Sequence, residues 1–285
     1  MHELNADLHC HSTVSDGTLS PRQLAERAKA NGVALWALTD HDELAGQPEA
    51  AAAARALQLD YLAGVEISVS FADQTVHVVG LGIDPDNTAL RAGLAHTRGS
   101  RGRRAKAIGE ALAAIGIDGA YDGAEALAEN PDMVTRTHFA RWLVFTGVCR
   151  DLHDVFRNYL TRGKPGHVPE QWASLHDAVA WIVGAGGVAV IAHPARYKYS
   201  ANEEWALFQQ FKAHGGRGVE VLTASHSSAD VAKYADTARE LDLLASRGSD
   251  FHAPGESRIE LGALPALPKG LTPVWSELQG RVQRA

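Results

Sequence analysis

His9 and His11 stand two residues apart at the end of an apolar run. On extended backbone that spacing turns both imidazoles to one face and Cys10 to the other. Asp250 and His252 repeat the pattern near the far end of the chain. Imidazole with carboxylate, and no thiolate in the set, is the donor combination of Zn, Mn or Fe sites. Asp16, His41, Glu66, His77 and His193 complete nine candidate ligands. Nine suffice for two or three ions if Glu66 bridges. Divalent ions about 3.5–4 Å apart suit phosphoryl chemistry, because they clamp the attacking and leaving oxygens together.

These groups share a place in the pattern of the chain. Apolar runs fall at 4–9, 33–39, 61–68, 76–81, 188–192, 218–223 and 243–248. They are continuous rather than alternating, as strands buried on both faces are. Helix signals lie between them: Ser20-Pro21 as cap and first helical residue, Gly32 as stop, an Ala-rich stretch over 48–57, and helical patterns over 174–184 and 228–241. Strand–helix alternation predicts an α/β fold with a mostly parallel sheet or barrel. The runs lead into His9 and His11, then Asp40 and His41, Glu66, His77, His193, His226, and finally Asp250 and His252. Parallel barrel strands deliver their C-terminal ends to one face, where barrel enzymes build their sites. Seven strands pointing one way would therefore gather these groups. Residues 84–168 break the rhythm, with helical patterns at 98–115, 123–129, 135–145 and 151–160 and no strand. This predicts a helical insertion, either a lid over the site or outer helical packing.

Composition narrows the partners. The chain has 285 residues, 45% hydrophobic and 21% charged, which is a globular balance. Lys and Arg number 27 against 34 Asp and Glu, a net charge of −7. That disfavours coating duplex DNA, and leaves room for a small anion held by metals and a few local arginines. No apolar stretch approaches the roughly 20 residues of a membrane span. Met1-His2-Glu3-Leu4-Asn5 carries no signal-peptide pattern. The two cysteines, Cys10 and Cys149, form no CxxC, so a disulfide framework and a zinc finger are excluded and a cytoplasmic setting is expected. His2, His96, His153, His176 and His214 lie off the strand ends and read as surface or packing residues, and Cys10 as a small core residue. Arg98, Arg101, Arg103, Arg104 and Lys106 form a basic run, either a solvated helix face or, without interleaved aromatics, a track for a short oligonucleotide backbone.

Asp7-Leu8-His9-Cys10-His11-Ser12 with Ser15-Asp16-Gly17, Leu38-Thr39-Asp40-His41-Asp42, Gly64-Val65-Glu66-Ile67, Ala192-His193-Pro194 and Gly248-Ser249-Asp250-Phe251-His252 resemble, in order, the motifs of the PHP family, the polymerase and histidinol phosphatase domain. The resemblance implies a distorted seven-stranded β/α barrel of amidohydrolase type with a helical insertion, two or three divalent ions and phosphoesterase activity. The barrel would comprise 1–84 and 169–285, and the insertion 85–168. A closer resemblance is to stand-alone members that hydrolyse nucleoside 3′,5′-bisphosphates, whose relatives trim short RNA from the 5′ end. It is carried by Thr135-Arg136-Thr137-His138-Phe139-Ala140, Arg162-Gly163-Lys164-Pro165-Gly166 with Val168-Pro169, and Arg196-Tyr197 after His193-Pro194. His167 departs from it, standing where a Tyr is expected. By position, the family pattern implies one ion on His9, His11, Glu66 and Asp250, a second on Glu66, His77 and His193, and a third on Asp16, His41 and His252. Asp16 replaces the His of some relatives, which favours Mn2+ over Zn2+ or Fe2+.

The implied reaction converts a substrate such as 3′,5′-bisphosphoadenosine to AMP, the cations activating water for in-line attack on phosphorus. His226 is a candidate general acid, or alternatively a phosphate hydrogen-bond donor. Asp40 is a candidate catalytic group, or an orienting group behind a ligand. Arg136, Lys164 and Arg196, with His138 beside them, are candidates for the second phosphate. Tyr197 would stack on a base or pack in the core. The alternatives are a histidinol-phosphate-type phosphomonoesterase, an amidohydrolase acting on C–N bonds, and a metal-binding scaffold without catalysis. Amidohydrolases of the C–N type usually carry a carboxylated Lys, where this chain has Glu66. The expected partners are a small nucleotide and short single-stranded RNA, with no membrane and no duplex DNA.

Overall fold

The computed structural model describes residues 4–170 and 172–284. His2 and most of the Met1–Asn5 start lie outside them. Eight strands form: β1 (Ala6–Asp7), β2 (Leu35–Leu38), β3 (Asp60–Phe71), β4 (Gln74–Leu81), β5 (Ala173–Ser174), β6 (Val188–Ile191), β7 (Gly218–Thr223) and β8 (Leu244–Gly248). Seven of them run in the order β1-β2-β3-β4-β6-β7-β8, while the two-residue β5 pairs with the far end of β3. The ring is nearly closed. Leu8 N donates to Arg247 O at 3.1 Å, and Asp250 N to His9 O at 2.8 Å, joining the ends of β1 and β8. The expected seven-stranded barrel is therefore present, with one short strand added.

One expectation is corrected. The seven strands do not all point one way, because β4 runs antiparallel to both β3 and β6. The cause is the two-residue turn Ala72-Asp73, with φ of 42° and 59°. Positive φ at both turn residues matches the twist of a tight hairpin. His77 therefore sits inside β4, opposite Ser68, rather than at a C-terminal strand end. It still reaches the rim, because β3 at 12 residues overshoots the 4-residue β2 beside it.

The barrel strands are buried almost throughout, with Trp36 and Tyr61 rings 5.3 Å apart in the core. Helices α1 (Pro21–Ala30) and α2 (Gln47–Ala56) cover β1–β3. Ser20 accepts from Gln23 N, and Leu24, Ala25 and Ala28 form the buried stripe of α1. The insertion holds α3 (Thr88–Ala113), α4 (Ala120–Ala126), α5 (Arg136–Phe145), α6 (Leu152–Val155) and a π-helical turn over Phe156–Leu160. Helix α3 begins ten residues before the expected start at 98, because the Asn87 side chain caps it by accepting from Leu90 N. Ile108, Leu112, Phe139, Leu143 and Leu160 belong to an apolar cluster separate from the barrel core. Helices α7 (Leu175–Gly184), α8 (Ala201–Ala213) and α9 (Ser228–Glu240) return the chain between strands. Helix α8 has no counterpart in the sequence reading, although Ser200 and Glu203 form a complete capping box at its start. Among the described residues no helix is long and apolar enough to cross a membrane.

Candidate metal centre

The centre of the rim is the carboxylate of Glu66. Its Oε1 lies 2.9 Å from His77 Nδ1, 3.0 Å from His193 Nε2 and 3.3 Å from His9 Nε2. Its Oε2 lies 2.7 Å from His41 Nδ1 and 3.3 Å from His11 Nε2. Asp250 Oδ1 is 3.3 Å from His11 Nε2 and 3.5 Å from His9 Nε2. Asp16 Oδ1 faces His252 Nε2 at 3.4 Å and His41 Nε2 at 3.9 Å. All nine sequence-derived candidates thus meet, in overlapping groups whose ligand atoms lie within 4.8 Å of one another. These are His9 with His11 and Asp250, His9 with Glu66 and His193, His41 with Glu66 and His77, and His11 with Asp16, His41 and His252.

Neighbouring side chains aim these ligands. His9 Nδ1 donates to Glu220 Oε1 at 2.8 Å, so its Nε2 is presented inward as a lone pair. Glu220 Oε2 accepts from His193 N at 2.6 Å. Glu220, a buried acid within the apolar strand β7, was not singled out from the sequence. Asp7 accepts from Ser249 N and Gly262 N, tying β1 to the loop that carries Asp250. A Cβ on Gly248 would lie 2.2 Å from His9 Cβ, and one on Gly17 would lie 2.0 Å from His11 O, so both ligand loops require glycine there. Asp42, His193 and Asp250 hold φ of 48°, 28° and 53°. Such backbone persists only where the surroundings over-determine it, and it gathers at functional sites.

The residues fit divalent cations. His9 Nε2 and His11 Nε2 approach to 3.2 Å with Nδ1 of His9 already donating elsewhere. Asp16 Oδ1 is buried without a hydrogen bond, a costly state for an anionic oxygen unless a cation faces it. Burial pushes Glu66 up, but His77, His41 and His9 hold it well below the usual carboxylate range. Burial, then the charges of His252 and His41, brings His11 down to about 3, so it is a neutral donor.

A cavity of about 580 Å³ opens over this cluster. Asp16, His41, His77, Asp250 and His252 line it together with Arg101, Arg104, Arg136 and Trp172. The Arg101 guanidinium lies 4.8 Å and that of Arg104 5.2 Å from the Trp172 ring centre. Arg101 is gripped by Asp42, which accepts from its Nε at 2.9 Å and from its Nη2, while Ser68 Oγ accepts from Nη2 at 2.7 Å. Burial, then the positive Arg136 and Arg101, pushes Arg104 down to about 9, and burial with Arg101 lowers Arg136. An anion seated among the three would relieve that repulsion. Neither Arg101 nor Arg104 was singled out as a site residue from the sequence. The basic run splits by helical phase. Arg98, Arg101 and Arg104 turn inward onto Asp42 O, Asp42 and Val168 O, while Arg103 and Lys106 are exposed.

Several second-phosphate and catalytic candidates take other places. His226 Nδ1 donates to Val221 O at 3.0 Å and its Nε2 accepts from Ala195 N at 3.4 Å, so neither nitrogen is free to act as acid or phosphate donor. Asp40 accepts from Ser12 N, Ser12 Oγ and Ser15 Oγ at 2.6–2.7 Å, and so anchors the loop leading to Asp16 rather than the reacting centre. His138 Nδ1 accepts from Thr135 N inside the α5 capping box and does not line the cavity. Lys164 is exposed and absent from the lining, because its turn ends on the solvent side of the insertion. The Tyr197 hydroxyl donates to Ala192 O and accepts from His77 N, which ties the side chain into the rim, and Tyr197 is not among the cavity-lining residues. Arg196 lines the cavity on the metal side, with Nη2 2.7 Å from Asp250 Oδ2. Arg136 also lines it, with its guanidinium 5.9 Å from the Phe156 ring centre. His96 and His153 are exposed, and His176 and His214 pair edge-on on α7 and beside α8.

Comparison with known proteins agrees with this geometry. Residues 7–98 match the model of the PHP domain. The 3′,5′-nucleoside bisphosphate phosphatase of Chromobacterium violaceum is 52% identical over 280 residues, covering 98% of both chains. The 5′-3′ exoribonuclease of Haemophilus influenzae is 42% identical, covering 95% of this chain and 98% of its own. A solved structure from Bifidobacterium adolescentis, of a suspected metal-dependent phosphoesterase, is 31% identical with TM-score 0.82, covering 97% of this chain and 96% of its own.

Proposed function

This chain belongs to the PHP family and is a metal-dependent hydrolase, and from that premise we propose that it removes the 3′-phosphate from nucleoside 3′,5′-bisphosphates, releasing the nucleoside 5′-monophosphate. The observation that carries the assignment is a single cavity lined both by the ligand cluster, which would become cationic once ions are bound, and by the Arg101, Arg104 and Arg136 guanidiniums, a second and fixed cationic pole. A substrate with one phosphate has no use for the second pole, which disfavours a histidinol-phosphate-type reaction.

His9, His11, Asp16, His41, Glu66, His77, His193, Asp250 and His252 would hold the ions, with Glu66 shared. When bound, divalent ions supply an acidified water and offset charge on the phosphoryl oxygens. The protein's own part is orientation. Glu220 holds His9, Asp40 sets the Asp16 loop, and Arg104 and Arg136 grip the 5′-phosphate so that the 3′-phosphate reaches the cluster. Residues 85–168 serve as the substrate-holding lid over the barrel of 1–84 and 169–285. Among six imidazoles and three carboxylates, the oxygen donor Asp16 favours Mn2+ at the site it shares with His41 and His252. The free cysteines Cys10 and Cys149 fit a cytoplasmic setting.

The test is turnover by the Mn2+-reconstituted protein of 3′,5′-bisphosphoadenosine and histidinol phosphate, read as phosphate release, and of an N-acyl amino acid, read as release of the free amine. Turnover of the first by at least about 100-fold in kcat/KM over the others is expected, a margin of about 2.7 kcal/mol in transition-state binding. Preference for either of the others refutes the proposal. A second activity, trimming of short 5′-phosphorylated RNA, is favoured by the likeness to the H. influenzae exoribonuclease, since an RNA 5′ end presents a 5′-phosphate with a phosphodiester in place of the 3′-phosphate.

A further inference from the structure

Asp16 has two carboxylate oxygens in two different situations. Oδ1 is buried and without a hydrogen bond, facing His252 and His41. Oδ2 accepts from the hydroxyl of Thr135 at 3.0 Å. Thr135 belongs to the helical insertion and is the N-cap of α5. Its Oγ1 also accepts from Thr137 N at 3.1 Å, so this hydroxyl both starts the helix and holds the carboxylate. Its proton has one natural destination. His138 Nδ1 already accepts from Thr135 N at 3.0 Å. Helix α5 touches the same loop again, Arg141 Nη1 donating to Asp16 O at 2.7 Å while Arg141 pairs with Glu256 across the rim. The residue immediately after Thr135 is Arg136, which lines the cavity with Arg101 and Arg104.

We propose that Thr135 is a positioning residue. It fixes Asp16 so that only Oδ1 is offered to the ion shared with His41, His252 and His11, and it couples that ion to the anion gripped by Arg136. The coupling half rests on the proposed function, because it takes the 5′-phosphate as that anion. A carboxylate free to rotate would present either oxygen, or both, and would lose orientation entropy on binding the ion. An anion on Arg136 steadies the first turn of α5, and with it Thr135. By linkage, whatever tightens the ion when the anion binds must tighten the anion when the ion binds.

The experiment titrates Mn2+ into metal-stripped protein by calorimetry, with and without AMP, which carries the 5′-phosphate but no 3′-phosphate. Thr135→Gly removes the hydroxyl but keeps a residue that caps helices nearly as well, so the fold persists. Thr135→Ser restores the hydroxyl. The expected result is that the weakest Mn2+ site of Thr135→Gly loosens by about tenfold or more, the range seen when a ligand's hydrogen-bond partner is removed. Turnover of Thr135→Gly should recover at high Mn2+, and Thr135→Ser should behave as the parent. A general structural defect would lower turnover at every Mn2+ concentration. In the parent AMP tightens the weakest site, and in Thr135→Gly it does not. Unchanged Mn2+ affinity in Thr135→Gly, or no rescue by Thr135→Ser, overturns the positioning role whatever the substrate is. AMP that binds the parent without altering Mn2+ affinity overturns the coupling. AMP that does not bind at all overturns the coupling and the bisphosphate assignment together, and leaves the Mn2+ titration to decide Thr135.

Discussion

The Nδ1 of His9 lies 2.8 Å from Oε1 of Glu220, a residue 211 positions further along the chain. The other oxygen of Glu220 accepts the backbone N–H of His193 at 2.6 Å. One buried carboxylate thus orients two ligands of the cluster, and both of its hydrogen bonds require an acceptor.

Glu220→Gln supplies one acceptor oxygen where two are needed. The amide nitrogen must face either His9 Nδ1–H or His193 N–H. Metal affinity should fall by about 10–100-fold, as for other partners that orient metal ligands. Elemental analysis after dialysis against graded Mn2+, together with turnover at saturating Mn2+, checks this. Parent-like retention of metal would show that Glu220 has no orienting part.

Removing the ions should loosen the molecule. The cluster concentrates buried acids and imidazoles that ions would satisfy, so chelation should lower the melting temperature and Mn2+ should restore it. Each site filled at 100 times its Kd adds about 2.7 kcal/mol. Melting curves across a Mn2+ series measure the effect, and curves that coincide would mean that the cluster holds no ion.

Arg104→Ala and Arg136→Ala each remove a charged donor from the cavity lining. A hydrogen bond to a charged group contributes about 1.5–3 kcal/mol, so kcat/KM for the bisphosphate should fall by about 10–150-fold. A simple aryl phosphate, lacking the second anion, should be hydrolysed as before. An equal loss on both substrates would place these arginines elsewhere in the reaction.

Asp42→Ala strands the buried Arg101, whose guanidinium it grips. Breaking one side of a buried pair typically costs about 3–5 kcal/mol. Urea unfolding should show that loss, and Asp42→Ala combined with Arg101→Met should recover part of it. A destabilisation below 1 kcal/mol would contradict the burial of this pair.

His226→Gln tests the reassignment of that ring to backbone hydrogen bonds. Loss of a true general acid costs about 10²–10⁴ in rate. With both nitrogens bound to Val221 O and Ala195 N, kcat should change by less than about tenfold. A larger fall in kcat at unchanged metal content would return His226 to the chemistry.

The ligand set was legible because its signals are local. His9 with His11, and Asp250 with His252, announce themselves by a two-residue spacing on extended chain. His41, Glu66 and His193 lie at or beside the ends of apolar runs. The barrel followed from those runs and the helices between them. Strand sense is different. Nothing in the composition of Gln74–Leu81 says that it runs backwards, and only the turn Ala72-Asp73 reverses it. Helix phase was also visible in principle, since Arg98, Arg101 and Arg104 recur every three residues. Their partners Asp42 and Trp172 are not visible, because they come from distant parts of the chain.

The sequence by itself therefore determined which residue types arrive at the rim, and in what order. Spacing along a strand sets which side chains share a face, and it is a property of neighbours in the chain. Only the tertiary structure decided what each arrival does. His226 follows a strand as His41 does, yet packing turns its ring to the backbone. Asp40 and His138 stand inside motifs but bind Ser12, Ser15 and Thr135. Glu220 looked like one polar residue in an apolar strand until β7 carried it to His9 and His193. A side chain's role depends on rotamer and on partners hundreds of positions away, and those are chosen by the closing of the ring rather than by any local pattern.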